Sequence, residues 1–125
     1  MRVLIVDGAN VVGSRPTGWW RDRAGAAARL HDAIAAAQLD RDVVVLVLEG
    51  AAKRGKPVGQ QGTVQTVHAP GSGDDTIVEQ VRAHATDGAE VVVVTADRGL
   101  RERVAAAGGT CVGPSWLLTR TAHPG

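Results

Sequence analysis

Five apolar runs along this chain have the length and residue types of buried β-strands. They are rich in valine and contain few alternating polar positions, which is typical of strands covered on both faces of a parallel sheet. We predict strands over residues 2–6, 43–48, 64–68, 91–95 and 110–112.

Segments with the period of amphipathic helices lie between these runs. The longest apolar stripe runs from Trp19 to Ala37, with Arg23 as a mismatch near its start. Shorter stripes predict helices near residues 77–85, 100–107 and 116–118. Strands that alternate with helices form βαβ units. The pattern therefore predicts an α/β fold, a three-layer α/β/α sandwich around a mostly parallel five-stranded sheet.

Acidic residues stand at the ends of four of the predicted strands. Asp7 follows the first strand, Glu49 the second and Asp97 the fourth, while Asp74 and Asp75 open the helix after the third. Side chains just past the carboxyl ends of parallel strands face the crevice in which α/β sheets bind ligands. Carboxylates that converge there repel one another unless a cation lies between them. Oxygen ligands without a histidine or cysteine pattern favour Mg²⁺ or Mn²⁺ over Zn²⁺.

Helix capping is the alternative role for the acids of the third signal. Ser72 followed by Asp75 fits a capping box, and acidic residues in a first turn interact favourably with the helix dipole. Capping does not require two adjacent aspartates, so Asp74 is the better candidate for a metal ligand.

The other signals also have structural alternatives. Asp97 and Thr95 are each able to cap the following helix, and Thr95 is alternatively able to position water beside a metal. Asp7 is able to accept backbone N–H groups in its turn, and Glu49 to occupy a surface turn. Asn10 is able either to contact a phosphate or a metal-bound water, or to hold its loop through a backbone hydrogen bond.

Histidine adds little to this picture. His31 and His84 fall within predicted helices, where we expect surface or partly packed side chains. His68 ends the third strand shortly before Asp74 and is a candidate accessory group.

The formal net charge of +1 indicates no global basic field of the kind that attracts nucleic acid. A local field is predicted, because basic residues follow the first two acidic signals. The segment from Gly50 to Gly62 carries several of them, shows no helical pattern and is predicted to be a mobile loop. Either Trp19 or Trp20 is available to stack a base, although the stripe predicts that at least one is core. The candidate nucleic-acid contacts are Arg15, Arg21, Lys53, Arg54, Lys56, Trp20, Thr95 and Arg98.

A chain of 125 residues is long enough for one domain with its own core. We place that domain at residues 1–121 and predict a flexible tail over 122–125. Cys111 is the single cysteine, which excludes a disulfide framework and a cysteine-based zinc site, and its apolar run predicts a small core residue. The sequence shows no signal peptide and no apolar run of membrane length, so we expect a cytoplasmic protein without membrane partners.

Three motifs resemble those of PIN-like nucleases of the NYN/YacP type. They occur in the same order and at the corresponding elements: Asp7-Gly8-Ala9-Asn10, Asp74-Asp75-Thr76-Ile77 and Thr95-Ala96-Asp97. The resemblance implies a sheet of order 3-2-1-4-5 and a metal-dependent endoribonuclease. It also implies that RNA is the partner and that the products carry 5′-phosphate and 3′-hydroxyl ends.

The same resemblance implies roles for single residues. Asp7, Asp74 and Asp97 are the implied metal ligands, and Glu49 stands where relatives often have an aspartate. Catalytic roles are further implied for Asn10, which orients a phosphate or water, and for Asp75, which completes the acidic set.

Two other functions are compatible with the same residues. One is hydrolysis of a small nucleotide or phosphoester at the same metal site. The other is an inactive RNA- or protein-binding module whose acids only cap helices. A helix face or the open sheet edge would also allow a homodimer.

Overall fold

The computed structural model describes residues 1–121, so the predicted tail lies outside the described residues. The strands are β1 (Arg2–Asp7), β2 (Val43–Leu48), β3 (Gly59–Gln61), β4 (Val64–His68), β5 (Glu90–Val94) and β6 (Thr110–Val112). The α-helices are α1 (Gly8–Gly13), α2 (Arg23–Ala37), α3 (Gly73–Thr86), α4 (Arg98–Ala107) and α5 (Pro114–Thr121). Two 3₁₀ helices span Trp19–Arg21 and Gly50–Gly55.

The sheet has the strand order β3-β4-β2-β1-β5-β6. All neighbouring strands are parallel except β3 and β4, which form an antiparallel pair. The five predicted strands are present to within one residue, and their relative order is the implied 3-2-1-4-5. The difference is a sixth strand, β3, which extends the sheet beyond β4.

Side chains of each central strand pack alternately into two apolar cores, one on either face of the sheet. In β1, Val3 and Ile5 pack beneath α3 and α4, whereas Leu4 and Val6 face α1, α2 and α5. Because both faces are covered, the strands read as uninterrupted apolar runs. The predicted three-layer α/β/α architecture is confirmed.

The segment from Gly50 to Gly62 is more ordered than the sequence predicts. Its first part forms the second 3₁₀ helix and its last part forms β3. Gly55 lies directly against the backbone of Ala24 in α2, so the 3₁₀ helix packs on that helix. The sequence predicts neither element, because the 3₁₀ helix is too short to show a period and β3 has no apolar residue. The mobility of the segment stays a prediction.

The start of α2 also differs from the prediction. Asp22 caps the helix by accepting the Gly25 N–H at 2.9 Å, so α2 begins at Arg23 rather than at Trp19. Trp19 is half-buried and Trp20 is 55% exposed, so neither tryptophan belongs to the core.

His31 is buried, contrary to the expectation of a surface or partly packed side chain. It lies one helical turn after Ala27, which faces the core, and therefore shares that face. Its Nδ1 lies 3.3 Å from the Asp32 carboxylate.

Candidate active site

Asp7 stands at the carboxyl end of β1, the central strand flanked by β2 and β5. Its carboxylate accepts the Asn10 N–H at 3.3 Å, which caps α1, and the Thr95 hydroxyl at 3.0 Å. Burial raises the pKa of Asp7 to about 6. The charges of Asp74 and Glu49 also raise it, while the two hydrogen bonds lower it. Asp7 therefore holds a buried charge near other carboxylates at neutral pH.

The end of β5 is tied to the end of β1 because these two strands pair in register from Arg2 to Val6. The fully buried Thr95 hydroxyl donates to Asp7 and accepts the Asp97 N–H at 3.2 Å. The Asn10 side-chain oxygen accepts the Ala96 N–H at 2.9 Å. Two of the motifs identified in the sequence therefore meet in one hydrogen-bonded unit.

Asp97 has the capping role that its alternative interpretation predicts. Its carboxylate accepts the Leu100 N–H at 2.9 Å and caps α4. Asp97 is nevertheless exposed, and the hydrogen bond to Leu100 uses only one of its two carboxylate oxygens. The other oxygen remains able to accept a ligand.

Glu49, at the end of β2, lies beside the start of α3, which carries Asp74. The Glu49 carboxylate accepts the Gly73 N–H at 3.2 Å, which ties the end of β2 to the start of α3. Burial raises the pKa of Asp74, and the neighbouring charges of Asp97 and Glu49 raise it further, against the opposing effect of Arg103. Asp74 therefore lies within electrostatic range of the acids from the other two strand ends.

Ser72 and Asp75 make different contacts at the start of α3. The Ser72 hydroxyl accepts the Asp74 N–H at 3.2 Å and caps α3, as predicted. The exposed Asp75 carboxylate forms an ion pair with Arg103 of α4 at 2.8 Å, and no bond back to the Ser72 N–H completes the capping box within residues 1–121. Asp75 thus links two helices beside the site.

The chain matches solved structures only at low sequence identity. It matches the crystal structure of Rae1 (YacP) from Bacillus subtilis at 18% identity with a TM-score of 0.73, over 97% of this chain and 74% of that one. A tryptophan-to-leucine mutant of the same protein matches at 17% identity with a TM-score of 0.63, over 97% and 75% of the two chains. This chain has the YacP fold. The sequence matches no protein-family model and no curated protein.

The predicted basic contacts from the segment after β2 lie on the second 3₁₀ helix or directly after it. Lys53 donates to the Ala69 carbonyl at 3.0 Å, just past β4. Lys56 donates to the Gln61 side chain at 2.9 Å, and its carbonyl lies 2.7 Å from Nε2 of His68, which gives that histidine a structural contact. Arg54 is exposed on the second 3₁₀ helix.

The predicted contacts from the first loop and from α4 lie in different places. Arg21 lies over the Trp20 ring at 6.0 Å in the first 3₁₀ helix, and Arg98 is exposed in the first turn of α4. Thr95 is buried beneath the acids, where its hydroxyl contacts Asp7. Arg15 lies elsewhere, in a cavity of about 820 Å³ between α1, α2 and α5. None of the carboxylates named above lines that cavity, so we place the candidate site at the sheet edge.

The side chains of the candidate site have the chemistry that a hard divalent cation requires. All candidate donors are oxygen atoms. Burial and then the charges of neighbouring carboxylates raise the pKa of Asp7 and of Asp74, a cost that a bound cation would relieve. Within residues 1–121, no three acidic, histidine or cysteine side chains are already arranged to hold one ion. Glu49 and Asp97 each direct a carboxylate oxygen toward a backbone N–H group at a helix N-terminus.

One charged residue at this edge does not stand out in the sequence. Arg101 donates from Nε to the Thr95 carbonyl at 3.0 Å, so its side chain lies at the end of β5. The signal that could have identified it is its position four residues after Asp97, one turn further along the same helix.

Cys111 is half-buried and packs against the core beneath α3 and α4, in agreement with its predicted role. Burial raises the pKa of its thiol, with a smaller opposing effect from Arg101. A thiol with a raised pKa is a poor nucleophile, which agrees with a packing role. No helix in the described part of the chain is long and apolar enough to cross a membrane.

Proposed function

We propose that this protein is a divalent-metal-dependent endoribonuclease that hydrolyses phosphodiester bonds in RNA. The observation that carries the proposal is the electrostatic coupling of Asp7, Glu49, Asp74 and Asp97, which come from four separate places in the chain. Carboxylates that repel one another destabilise a fold unless a bound cation neutralises them, and strongly perturbed acids cluster at functional sites. The YacP fold and the three motifs support RNA as the substrate.

Each residue of the site has a role in this proposal. Asp7, Asp74 and Asp97, with Glu49 beside them, would hold Mg²⁺ or Mn²⁺. The bound ion would lower the pKa of an attacking water and stabilise the charge on the leaving oxygen. Asn10 links both strand ends through its side-chain oxygen, so its amide nitrogen remains to orient a phosphate or water. Thr95 fixes the carboxylate of Asp7.

Cleavage of an end-labelled single-stranded RNA tests the proposal directly. We expect cutting with Mn²⁺ and with Mg²⁺, none with EDTA, and products with 5′-phosphate ends. Saturable Mn²⁺ binding without RNA cleavage would instead support a small phosphoester substrate. A protein that neither cuts RNA nor binds Mn²⁺ would be a binding module whose acids are caps.

Two adjacent aspartates provide a matched comparison. Asp74→Asn should lower cleavage by on the order of 10²-fold or more, because it removes a carboxylate coupled to the other acids. Asp75→Asn should lower cleavage less than tenfold and cost about 0–1 kcal/mol of stability, because it breaks an exposed ion pair. Cleavage rates, Mn²⁺ titrations and melting temperatures of both variants provide the check.

The capping interpretation makes the opposite forecast for that pair. If Asp74→Asn lowers the melting temperature as much as Ser72→Ala does and leaves Mn²⁺ binding intact, the acids of α3 serve the helix and the proposed metal site is wrong.

A further inference from the structure

Arg101 lies where the last two parallel strands of the sheet end. Its Nε donates to the Thr95 carbonyl, the first residue past β5, at 3.0 Å. Its Nη2 lies beside Gly113, the first residue past β6, where a Cβ atom would be 3.8 Å away. The residue is half-buried, and these two contacts place the guanidinium across both strand ends.

The charge of Arg101 is not neutralised by a carboxylate in the described part of the chain. No acidic oxygen lies within 4.0 Å of it there, whereas Arg103, two residues later, pairs with Asp75. A guanidinium carries five N–H donors, and the Thr95 carbonyl uses only one of them. The fork of Nη groups therefore remains available to an external anion.

A second cation stands at the other end of the same edge. Lys53 donates to the Ala69 carbonyl just past β4, while Arg101 stands past β5 and β6. The strand order puts the ends of β2 and β1, with Glu49 and Asp7, between them. At about 4.8 Å per strand, the row from β4 to β6 is about 19 Å long. Cations thus bracket the acids along one line.

We propose that Arg101 is a binding residue for a backbone phosphate of an RNA strand that lies across the carboxyl ends of β4 to β6. This inference rests on the proposed function. It adds the path of the RNA across the sheet edge and a phosphate contact near the end of β6. Guanidinium forks suit phosphate because they donate two parallel hydrogen bonds. The bond to Thr95 fixes the side chain before RNA arrives, which lowers the entropy lost on binding.

The test measures binding of a fluorescent single-stranded RNA in the Asp7→Asn background, in which the RNA stays uncut. Anisotropy titrations at several salt concentrations give the slope of log K against log salt. Arg101→Gln should weaken binding about tenfold at 0.1 M salt and make the slope shallower by about 0.7, the value for one phosphate contact on a single strand. Arg82→Gln, which removes the same charge from an exposed position on α3, should leave both quantities unchanged.

Arg101→Lys separates phosphate binding from a purely structural role. Lysine keeps the charge and loses the fork of N–H donors. The slope of log K against log salt should therefore return to that of the parent protein, the Asp7→Asn variant with Arg101 intact, while the affinity recovers only in part. If Arg101 only satisfies the Thr95 carbonyl, the lysine and glutamine variants should lose similar melting temperature and both should keep the parent slope. That result would overturn the inference.

The failure of this inference and the failure of the proposed function are distinguishable. RNA binding by the parent with an unchanged slope in Arg101→Gln would reject the phosphate contact alone. No RNA binding by the parent at low salt, together with no cleavage by the wild type, would reject both.

Discussion

Replacing Asp7 with asparagine should strongly reduce RNA cleavage and at the same time raise the melting temperature at pH 7.5, measured in EDTA. The activity should fall on the order of 10²–10³-fold, because the variant loses the buried carboxylate at the centre of the acidic cluster. A residue that serves a site at the expense of the fold is expected to show this opposition between activity and stability.

The gain in stability follows from the pKa of Asp7, which is raised from 3.8 to about 6 by burial. An acid with a raised folded-state pKa holds its proton more tightly in the folded than in the unfolded chain. Stability is therefore lost as the pH rises from about 4 to about 6, and the loss is complete above that range. The shift corresponds to about 3 kcal/mol at neutral pH.

Asparagine avoids this cost, but the two donors meet different carboxylate oxygens of Asp7, and asparagine replaces one of those oxygens with an NH₂ group. Losing the bond from either Asn10 or Thr95 offsets about 1 kcal/mol of the gain. We therefore expect a net gain of about 2 kcal/mol at pH 7.5, or roughly 5–10 °C in melting temperature. At pH 4 the gain should disappear.

Asp97→Asn is the matched control. Asp97 is exposed and caps α4, and asparagine caps helices about as well as aspartate. We expect the same loss of cleavage with a melting temperature within about 2 °C of the wild type at both pH values. If Asp7→Asn instead lowers the melting temperature at pH 7.5, the charge on Asp7 is stabilised by its surroundings and the account of a strained cluster is wrong.

Gly55→Ala should be the most destabilising of the conservative substitutions in the segment after β2. A Cβ atom at this position would overlap the carbonyl oxygen and carbon of Ala24 in the first turn of α2. The obstacle is helix backbone, which cannot rotate away as a side chain can. We expect a loss of about 3 kcal/mol, as for overpacking in a core, and a melting temperature lower by roughly 10 °C.

Gly71→Ala is the control for the glycine-to-alanine change itself. No heavy atom lies within 4 Å of a Cβ there, and the backbone is not left-handed. Its stability should change by less than about 1 kcal/mol, with a gain favoured by the lower entropy of the unfolded chain. Equal melting temperatures for both variants would show that the 3₁₀ helix does not pack on α2 in solution.

Because that helix carries Lys53, Gly55→Ala should also weaken RNA binding.

The strands and the places of the acids could be predicted from the sequence because both depend on local pattern. Continuous valine-rich runs indicate strands buried on two faces, and a residue that follows such a run must lie at the carboxyl edge. Asp7, Glu49 and Asp97 were found in this way. The order of the strands came from the resemblance of the motifs, since periodicity does not determine which strands pair.

Short elements gave no such pattern. Helix α1 covers fewer than two turns, too few to repeat a period. Strand β3 is exposed at all three residues and contains no apolar residue, whereas the equally short β6 contains two. The second 3₁₀ helix is equally short, and its packing depends on Gly55, whose role is set by the distant Ala24.

The sequence by itself determined which acidic groups stand at the sheet edge, because hydrophobic burial determines where the strands lie and the acids directly follow the strands. Only the tertiary structure decided how those groups act on one another. The Thr95 hydroxyl meets Asp7 across 88 residues, Asp75 pairs with Arg103 of another helix, and Arg101 spans two strand ends. These contacts depend on the pairing of β1 with β5 and on the packing of α3 against α4. Both join residues that are far apart in the sequence, and a local pattern of residues does not show which distant segments will meet.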